Sequence, residues 1–283
     1  MFDISLYLKD KKAEVENVLF KQLPSAPDCP ELLSEAIAHA VKSGGKRLRP
    51  ILCLAAAEAT GGRWKDALLP ACAVEILHTY TLVHDDLPCM DNDLLRRGVP
   101  TVHARYGEAL AVLTGDALLT LAFEILTQTP LEGTITTRLV SELCKASGAT
   151  GVIGGQVKDI LLAGKPSPEV IHYVFEHKTA DLFRAALRMG SIAAEASDEA
   201  VESLSAYGGH LGFAFQIIDD ILDADQATED EKPELSCLAI MSLTDARIWA
   251  SEHTRMATKA LENLVGDTTP LKAMADMMLE RII

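Results

Sequence analysis

Apolar residues recur at spacings of three and four along almost the whole chain, the pattern of helices that bury one face. Glycines and prolines separate the apolar segments, and no stretch alternates apolar with polar residues as a half-buried strand would. Because segments 108–128 and 198–222 are apolar on more than one face, we expect both to be central helices. The pattern predicts an all-α fold with helices over residues 31–43, 50–59, 66–85, 108–128, 135–147, 149–163, 168–195, 198–222, 244–264 and 269–281.

Composition narrows the class of protein. The 283 residues contain no linker rich in Ser, Gly or Pro and longer than a turn, so we expect a single domain over residues 1–283. Lys and Arg number 26 against 41 Asp and Glu, which gives a net charge of −15. Such an acidic chain is not expected to bind nucleic acid non-specifically, because displacing counterions from phosphates needs a cationic surface.

The cysteines and the N-terminus predict a cytoplasmic protein. The six cysteines never form the Cys-x-x-Cys spacing, and most of them lie in apolar or helical segments, so we expect reduced thiols without a disulfide or zinc framework. The first residues show no cationic start followed by an apolar run, so no signal peptide is predicted. Because no uncharged apolar stretch reaches about 18 residues, we expect no membrane span.

An acidic cluster follows the predicted helix 66–85. Asp85, Asp86, Asp91 and Asp93 lie within nine positions, and Pro88 between them should end or kink the helix because it removes a helical hydrogen bond. The plainer interpretation is a solvated acidic turn. However, the cluster directly follows an apolar helix, and several carboxylate oxygens brought to one side would suit Mg²⁺ better than zinc.

A second acidic cluster lies at the end of the predicted helix 198–222. Asp219, Asp220 and Asp223 have the spacing of residues that share one helical face. Three like charges on one face repel each other unless a cation lies among them. A solvated helix face is the alternative, although Ile217 and Ile221 beside the acids argue against it.

Basic residues are sparse but clustered. The segment GGKRLRP places Lys46, Arg47 and Arg49 between a helix end and a helix start, where backbone amides and cations together favour anions. The alternative is a helix end with side chains reaching to solvent. Arg96–Arg97 and Lys178–Thr179 are further candidates. With the two acidic clusters and the apolar helices, these residues indicate a site for two diphosphates that carry apolar tails.

Six motifs in one order give the chain a resemblance to the trans-isoprenyl diphosphate synthases. They are GGKRLRP at 44–50, DDLPCMD at 85–91 with RRG at 96–98, GDALL at 115–119, GGQ at 154–156, HKT at 177–179 and FQIIDDILD at 215–223. Their wording is similar to bacterial farnesyl and plastid-type geranylgeranyl diphosphate synthases. The resemblance implies an isoprenoid synthase-type helical bundle around a central cavity, a homodimer, and Mg²⁺-dependent condensation of isopentenyl diphosphate with an allylic diphosphate.

The resemblance also implies roles for individual residues. By this resemblance, Asp85 and Asp91 would bridge two Mg²⁺ ions, and Asp219 would hold a third, with support from Asp86, Asp220 and Asp223. Isopentenyl diphosphate would be bound by Lys46, Arg49, His78 and Arg97. The allylic diphosphate would face Arg96, Lys178 and Gln216, with Thr179 beside it.

In this family the residues four and five before the first aspartate close the floor of the pocket. Here they are Thr81 and Tyr80, and the Tyr80 ring should block a chain longer than C15. We therefore expect farnesyl diphosphate from dimethylallyl or geranyl diphosphate, with geranylgeranyl diphosphate as the alternative product. His84 is expected to be structural.

One segment departs from the family pattern. A long Gly-Lys loop normally follows the second aspartate motif, whereas here residues 225–234 are shorter and acidic, with Lys232 as the remaining candidate for its last lysine. Three interpretations stay open: an active enzyme with weaker allylic binding, a loop missing only from this version of the sequence, or a non-catalytic subunit that binds prenyl diphosphates. A phosphohydrolase or a terpene cyclase could also use paired acids, but neither needs a second diphosphate site.

Overall fold

Helices make up 74% of the computed structural model, which describes residues 2–224 and 235–282. The predicted all-α class is confirmed, and most predicted helices agree with the observed ones to within a few residues. The α-helices are α1 Ile4–Leu19, α2 Glu31–Lys42, α3 Leu48–Ala59, α4 Leu68–Asp85, α5 Val102–Tyr106, α6 Glu108–Thr127, α7 Gly133–Ser147, α8 Val152–Leu162, α9 Pro168–Val174, α10 Asp181–Ala193, α11 Asp198–Ala224, α12 Leu243–Ala260 and α13 Thr269–Leu279.

The first helix, α1, was absent from the prediction. Its N-cap residue Asp3 accepts a hydrogen bond of 3.0 Å from the amide of Leu6, which starts the helix. Only Lys11, Val15 and Leu19 are buried, one in each turn, and acids and lysines fill the other faces. So narrow a buried stripe leaves a weak apolar pattern in the sequence.

The predicted helix 168–195 is interrupted by a π-helical turn. It consists of α9, a π-helix over Phe175–Ala180, and α10, which follow one another without a break. A π-helical turn inserts an extra residue and turns the side chains that follow it, and such turns often occur at functional sites. This one carries the Lys178–Thr179 pair.

A short hairpin, β1 Leu95–Arg96 and β2 Val99–Pro100, corrects the expectation of no strands. Its antiparallel register pairs Leu95 with Pro100 and Arg96 with Val99. Arg97 and Gly98 make the turn with φ values of 54° and 79°, as a tight hairpin turn requires. Strands of two residues are too short to leave an alternating pattern.

Two layers of buried side chains hold the helices together. In one layer α4 packs against α3 and α6, and in the other α11 packs against α10 and α12. The buried hydroxyl of Tyr207 on α11 donates a hydrogen bond of 2.7 Å to the carbonyl of Leu271, which ties α13 to the central helix. The expected central position of helix 198–222 is therefore confirmed.

Helix α6 differs from its expected central position. Its apolar face is only partly covered, and Val112 and Leu113 are 41% and 55% exposed. By length and composition, Trp64–Asp85 and Glu108–Thr127 could each cross a membrane, but 67% of the apolar window in Trp64–Asp85 is buried inside the fold, as in a core helix. In the second segment the buried share is 44%.

The six cysteines are free thiols, as expected, but they are not all in the core. Cys53, Cys72 and Cys237 are buried, whereas Cys89 and Cys144 are exposed. Cys89 lies in the loop after α4 and Cys144 on the outer face of α7, where helical periodicity alone does not ensure burial.

Candidate active site

A cavity of about 360 Å³ opens between α4, α8 and the π-helical turn. One end is polar and includes Arg49, His78, Asp85, Lys178 and Thr179. Apolar side chains from α8 and α10 form much of the remaining wall: Val152, Ile153, Val157, Ile160 and Leu182. A polar head and an apolar tail could therefore bind in one cavity, as the sequence predicts.

The first aspartate cluster lies at the polar end. Helix α4 ends at Asp85, as Pro88 predicts, and the amide of Asp91 donates a hydrogen bond of 2.9 Å to the carbonyl of Asp85. This bond closes the loop and brings the two residues together. Burial raises the pKa of the Asp85 carboxyl to about 7; Asp91 adds to the rise, and Lys178 opposes it. Burial likewise raises the pKa of Asp91.

Asp86 and Arg96 form an ion pair with each other. Nε of Arg96 donates a hydrogen bond of 2.6 Å to Oδ1 of Asp86, and Nη2 of Arg96 also reaches Asp93 at 3.1 Å. Asp86 is buried, and neither Asp86 nor Arg96 lines the cavity. Arg96 therefore braces the loop between α4 and β1, and its predicted contact with the allylic diphosphate would require this ion pair to rearrange.

The second aspartate cluster is at the end of α11. Nη1 of Arg281 lies 3.0 Å from Oδ1 of Asp219, and burial with the nearby Asp223 raises the pKa of Asp219. Asp220 has a different environment, because its carboxylate accepts hydrogen bonds from the amide of Cys237 at 2.7 Å and from Nε2 of Gln216 at 3.1 Å. Asp220 thus anchors the chain that returns after residue 234.

The residues predicted to bind isopentenyl diphosphate lie together. Nη1 of Arg49 is 3.2 Å from Nε2 of His78, and burial with the neighbouring arginines lowers the pKa of His78. The guanidinium of Arg97 donates to the carbonyl of Gly44. Lys46 is exposed on the same loop. Burial lowers the pKa of Arg49 to about 10.

Arg47, a member of the same basic segment, has a structural role. It is 3% exposed, has left-handed backbone with φ 52°, and donates to Glu75 at 2.8 Å and to the carbonyl of Val41 at 2.6 Å. A third donor reaches Glu16 at 3.1 Å. These contacts hold the loop in place, with Lys46 exposed and Arg49 lining the cavity on either side of Arg47.

The π-helical turn supplies Lys178 and Thr179. Nζ of Lys178 lies 2.5 Å from Oδ2 of Asp159, and the Thr179 hydroxyl donates a hydrogen bond of 2.9 Å to Oε1 of Gln216. Asp159 was not among the site residues predicted from the sequence. The signal was present in GGQVKD, where the residues three apart, Gln156 and Asp159, share a face of α8.

The carboxylates of Asp85 and Asp91 are of the kind that binds Mg²⁺, the metal predicted from the sequence. Within residues 2–224 and 235–282, no three His, Cys, Asp or Glu side chains are grouped closely enough to hold a metal by themselves. Mg²⁺ in phosphate-transfer sites is usually held by one or two carboxylates, with waters and substrate phosphates as its other ligands. Asp85, which is half-buried, and Asp91, which is exposed, match that donor set; both carboxyls have raised pKa values and would be stabilised by a cation.

The two residues expected at the pocket floor both line the cavity. Tyr80 is 7% exposed, and its ring packs edge-on against His84 with 5.2 Å between centroids. Nε2 of His84 lies 3.1 Å from the carbonyl of Val112 on α6, in keeping with a structural histidine. Lys232 and the shortened segment 225–234 lie outside the described residues.

Comparison with known proteins decides the family. A family model described as "Polyprenyl synthetase" matches residues 30–280, which include all six motifs. The chain belongs to the polyprenyl synthetase family. Enzymes of this family are prenyltransferases that use isopentenyl and allylic diphosphates, generally with Mg²⁺.

Relatives of this polyprenyl synthetase carry two kinds of product name. The chain is 37% identical to a chloroplastic geranylgeranyl pyrophosphate synthase of Capsicum annuum, over 99% of this chain and 79% of that protein. It is 37% identical to a geranylgeranyl diphosphate synthase of Cyanophora paradoxa, over 99% and 97% of the two chains. A crystal structure of an FPP/GFPP synthase from Zymomonas mobilis superposes with a TM-score of 0.90 at 34% identity, covering 97% and 98%.

Proposed function

We propose that the protein is a Mg²⁺-dependent farnesyl diphosphate synthase, which condenses isopentenyl diphosphate with dimethylallyl or geranyl diphosphate. The observation that supports this proposal is that Asp85, Lys178 and Thr179 line the same cavity as Tyr80 and the apolar side chains of α8. A tail whose head is held at the polar end extends towards the Tyr80 ring. The bulk of that ring favours a C15 product.

The site residues divide the chemistry between them. Lys178 neutralises charge on the allylic diphosphate, while Arg49, His78, Lys46 and Arg97 bind isopentenyl diphosphate. Mg²⁺ held by Asp85, Asp91 and Asp219 would neutralise the charge that develops on the departing diphosphate. The apolar walls exclude water, so the isopentenyl double bond is the nucleophile offered to the allylic cation. The departing diphosphate takes the final proton.

Geranylgeranyl diphosphate is the second candidate product. It is favoured by the product names of the Capsicum and Cyanophora relatives. A longer product would require the Tyr80 ring to move aside, or the tail to pass beside it along α8.

The test is incubation of the protein with Mg²⁺, isopentenyl diphosphate and either dimethylallyl or geranyl diphosphate, followed by chromatography of the products. We expect the parent protein to make a C15 product. The Asp219→Ala variant should keep its fold but make no such product. A C20 product would favour the second candidate. No C10–C20 product despite retained diphosphate binding would indicate a non-catalytic subunit, and free phosphate without condensation would indicate a hydrolase.

We further propose that the functional unit is a homodimer that pairs through α6. An exposed apolar helix face is costly in water and is typical of an association surface. Leu113 lies on that face and is 55% exposed. Leu113→Asp should convert a dimer to a monomer in light scattering, whereas Val265→Asp, at a position 91% exposed, should not.

The free thiols are in keeping with a reducing, cytoplasmic location.

A further inference from the structure

Gln156 is a buried polar side chain in the wall of the cavity for which the proposed function assigns no role. It lies on α8 and is 9% exposed. Both polar atoms of its amide, Oε1 and Nε2, are shielded from solvent and have no hydrogen-bond partner among the described residues. A buried amide without partners costs free energy, and such groups are rare in native structures outside functional sites.

The backbone contact of Gly155 explains where Gln156 lies. A Cβ atom at Gly155 would fall 2.8 Å from Cα of Lys178, so only glycine lets α8 lie against the π-helical turn. Gln156 is the next residue along the helix, and Asp159 follows one turn later. Oδ2 of Asp159 forms an ion pair with Nζ of Lys178 at 2.5 Å, whereas the side-chain amide of Gln156 has no hydrogen-bond partner among the described residues.

The neighbouring amide of Gln216 provides a contrast. Its Oε1 accepts a hydrogen bond from Thr179 and its Nε2 donates to Asp220, so both polar atoms of that side chain are occupied. The unpaired amide of Gln156 is therefore not a general property of glutamines in this part of the fold. Gln156 lies in the cavity wall between Gly155, which meets the backbone of Lys178, and the apolar side chain of Val157, where a polar head would meet an apolar tail.

In a prenyl diphosphate, that boundary between head and tail is the carbon that carries the diphosphate. We propose that Gln156 contacts the allylic substrate at this carbon, and that its amide oxygen stabilises the positive charge formed there. This inference rests on the proposed function. The C–O bond breaks with both electrons going to the diphosphate, and the isopentenyl double bond then supplies the electrons of the new C–C bond.

An amide suits this position chemically. Its oxygen carries a fixed partial negative charge, which is most effective in a water-excluded cavity. It is neutral and a weaker nucleophile than a carboxylate, so it traps the cation less readily than a carboxylate in the same place would. A carboxylate would instead require a counter-ion or a proton in the same apolar wall.

The experiment replaces the amide without changing the volume of the side chain much. Gln156→Leu removes both unpaired polar atoms, so the fold should keep or gain stability, and Gln156→Met is the second variant of similar length. Thr114→Val is the matched control, because the Thr114 hydroxyl is also buried and unpaired among the described residues but does not line the cavity. We expect kcat to fall at least about tenfold in both Gln156 variants. KM for isopentenyl diphosphate should stay within about twofold in both variants and in the control.

A second measurement does not need turnover. Calorimetry compares the affinity for an ammonium analogue, in which a charged nitrogen replaces the carbon that ionises, with the affinity for its neutral carbon counterpart, each with inorganic diphosphate and Mg²⁺. The preference for the cation should fall at least about tenfold in Gln156→Leu and stay unchanged in Thr114→Val. An unchanged preference overturns the inference, whatever happens to kcat. A reduced preference in a protein whose parent makes no prenyl product would support the inference and reject the proposed synthase.

Discussion

The guanidinium of Arg281 lies 3.0 Å from the carboxylate of Asp219, so the end of the chain neutralises one of the proposed metal ligands. Both side chains are about one-third exposed, at 33% and 29%. An ion pair of that exposure contributes about 0.2–1 kcal/mol. If Asp219 holds Mg²⁺ as proposed, Arg281 would compete with the metal for this carboxylate, but only weakly.

Arg281→Gln should accordingly lower the Mg²⁺ concentration that gives half-maximal activity, by roughly two- to fivefold, because the cation no longer displaces an arginine. A magnesium titration of initial rates measures the change. Arg247→Gln, at an exposed position on α12, is the control and should leave the titration unchanged. If Arg281→Gln raises the magnesium requirement, Arg281 assists the metal site and does not compete with it.

Tyr80→Ala should lengthen the product. Replacing the ring by a methyl group opens space beyond the first few isoprene units, and a tail that is no longer blocked can accept further additions. We expect C20 and longer diphosphates in place of C15, measured by chromatography of the dephosphorylated products. Tyr106→Ala, which removes a ring that does not line the cavity, should leave the distribution as in the parent. The same distribution in Tyr80→Ala would show that another residue forms the floor.

Local patterns made much of the candidate site predictable. Pro88 marked the end of α4, and the four-residue spacing of Asp219 and Asp223 placed them one turn apart on α11. Such features depend only on residues that are close in sequence. Helical periodicity and the missing amide hydrogen of proline directly constrain the backbone over that range.

Contacts between distant segments were not predictable in this way. The pair Asp159 and Lys178 depends on the approach of two helices at Gly155, and the bond between Arg281 and Asp219 spans 62 positions. Nothing in the local spacing of either residue specifies its partner. The partial exposure of α6 was not predicted either. An apolar sequence predicts that a helix is covered, but it does not show whether the covering surface belongs to the same chain.

Gly155→Ala tests the approach of α8 to the π-helical turn. The added methyl group would meet the backbone of Lys178, which cannot rotate away as a flexible side chain could. We expect a loss of about 1–3 kcal/mol in the free energy of unfolding, measured by urea denaturation. Activity should fall as well, since Lys178 would be displaced from the cavity.

Gly133→Ala is the matched control for that substitution. A Cβ atom at Gly133, the first residue of α7, meets no described atom within 4 Å, and the position lies in a helix. Alanine there should be neutral or stabilising, because it reduces the freedom of the unfolded chain. Equal stabilities of the two variants would mean that α8 can shift without cost.

Stability at acid pH should depend on His253. Its ring stacks on Phe213 at 4.9 Å, and its Nδ1 lies 3.2 Å from Nδ1 of His210. Burial lowers the pKa of His253 to about 4; His210 and His172 add to the effect, and Glu176 opposes it. An unfolded histidine has a pKa near 6.5, so between about pH 6.5 and 4 the unfolded state binds a proton that the folded state does not.

The free energy of unfolding therefore decreases as the pH falls from about 6.5 to 4. Above pH 6.5 the titration of His253 does not change it. His253→Phe keeps a ring against Phe213 but removes the titration. The drop in the free energy of unfolding between pH 7 and pH 5 should be smaller in this variant by about 1–2 kcal/mol, measured by urea denaturation at both values. His39→Gln on α2 serves as the control and should keep the parent's drop. Equal drops in His253→Phe and the parent would mean that His253 takes up its proton in the folded state as readily as in the unfolded chain.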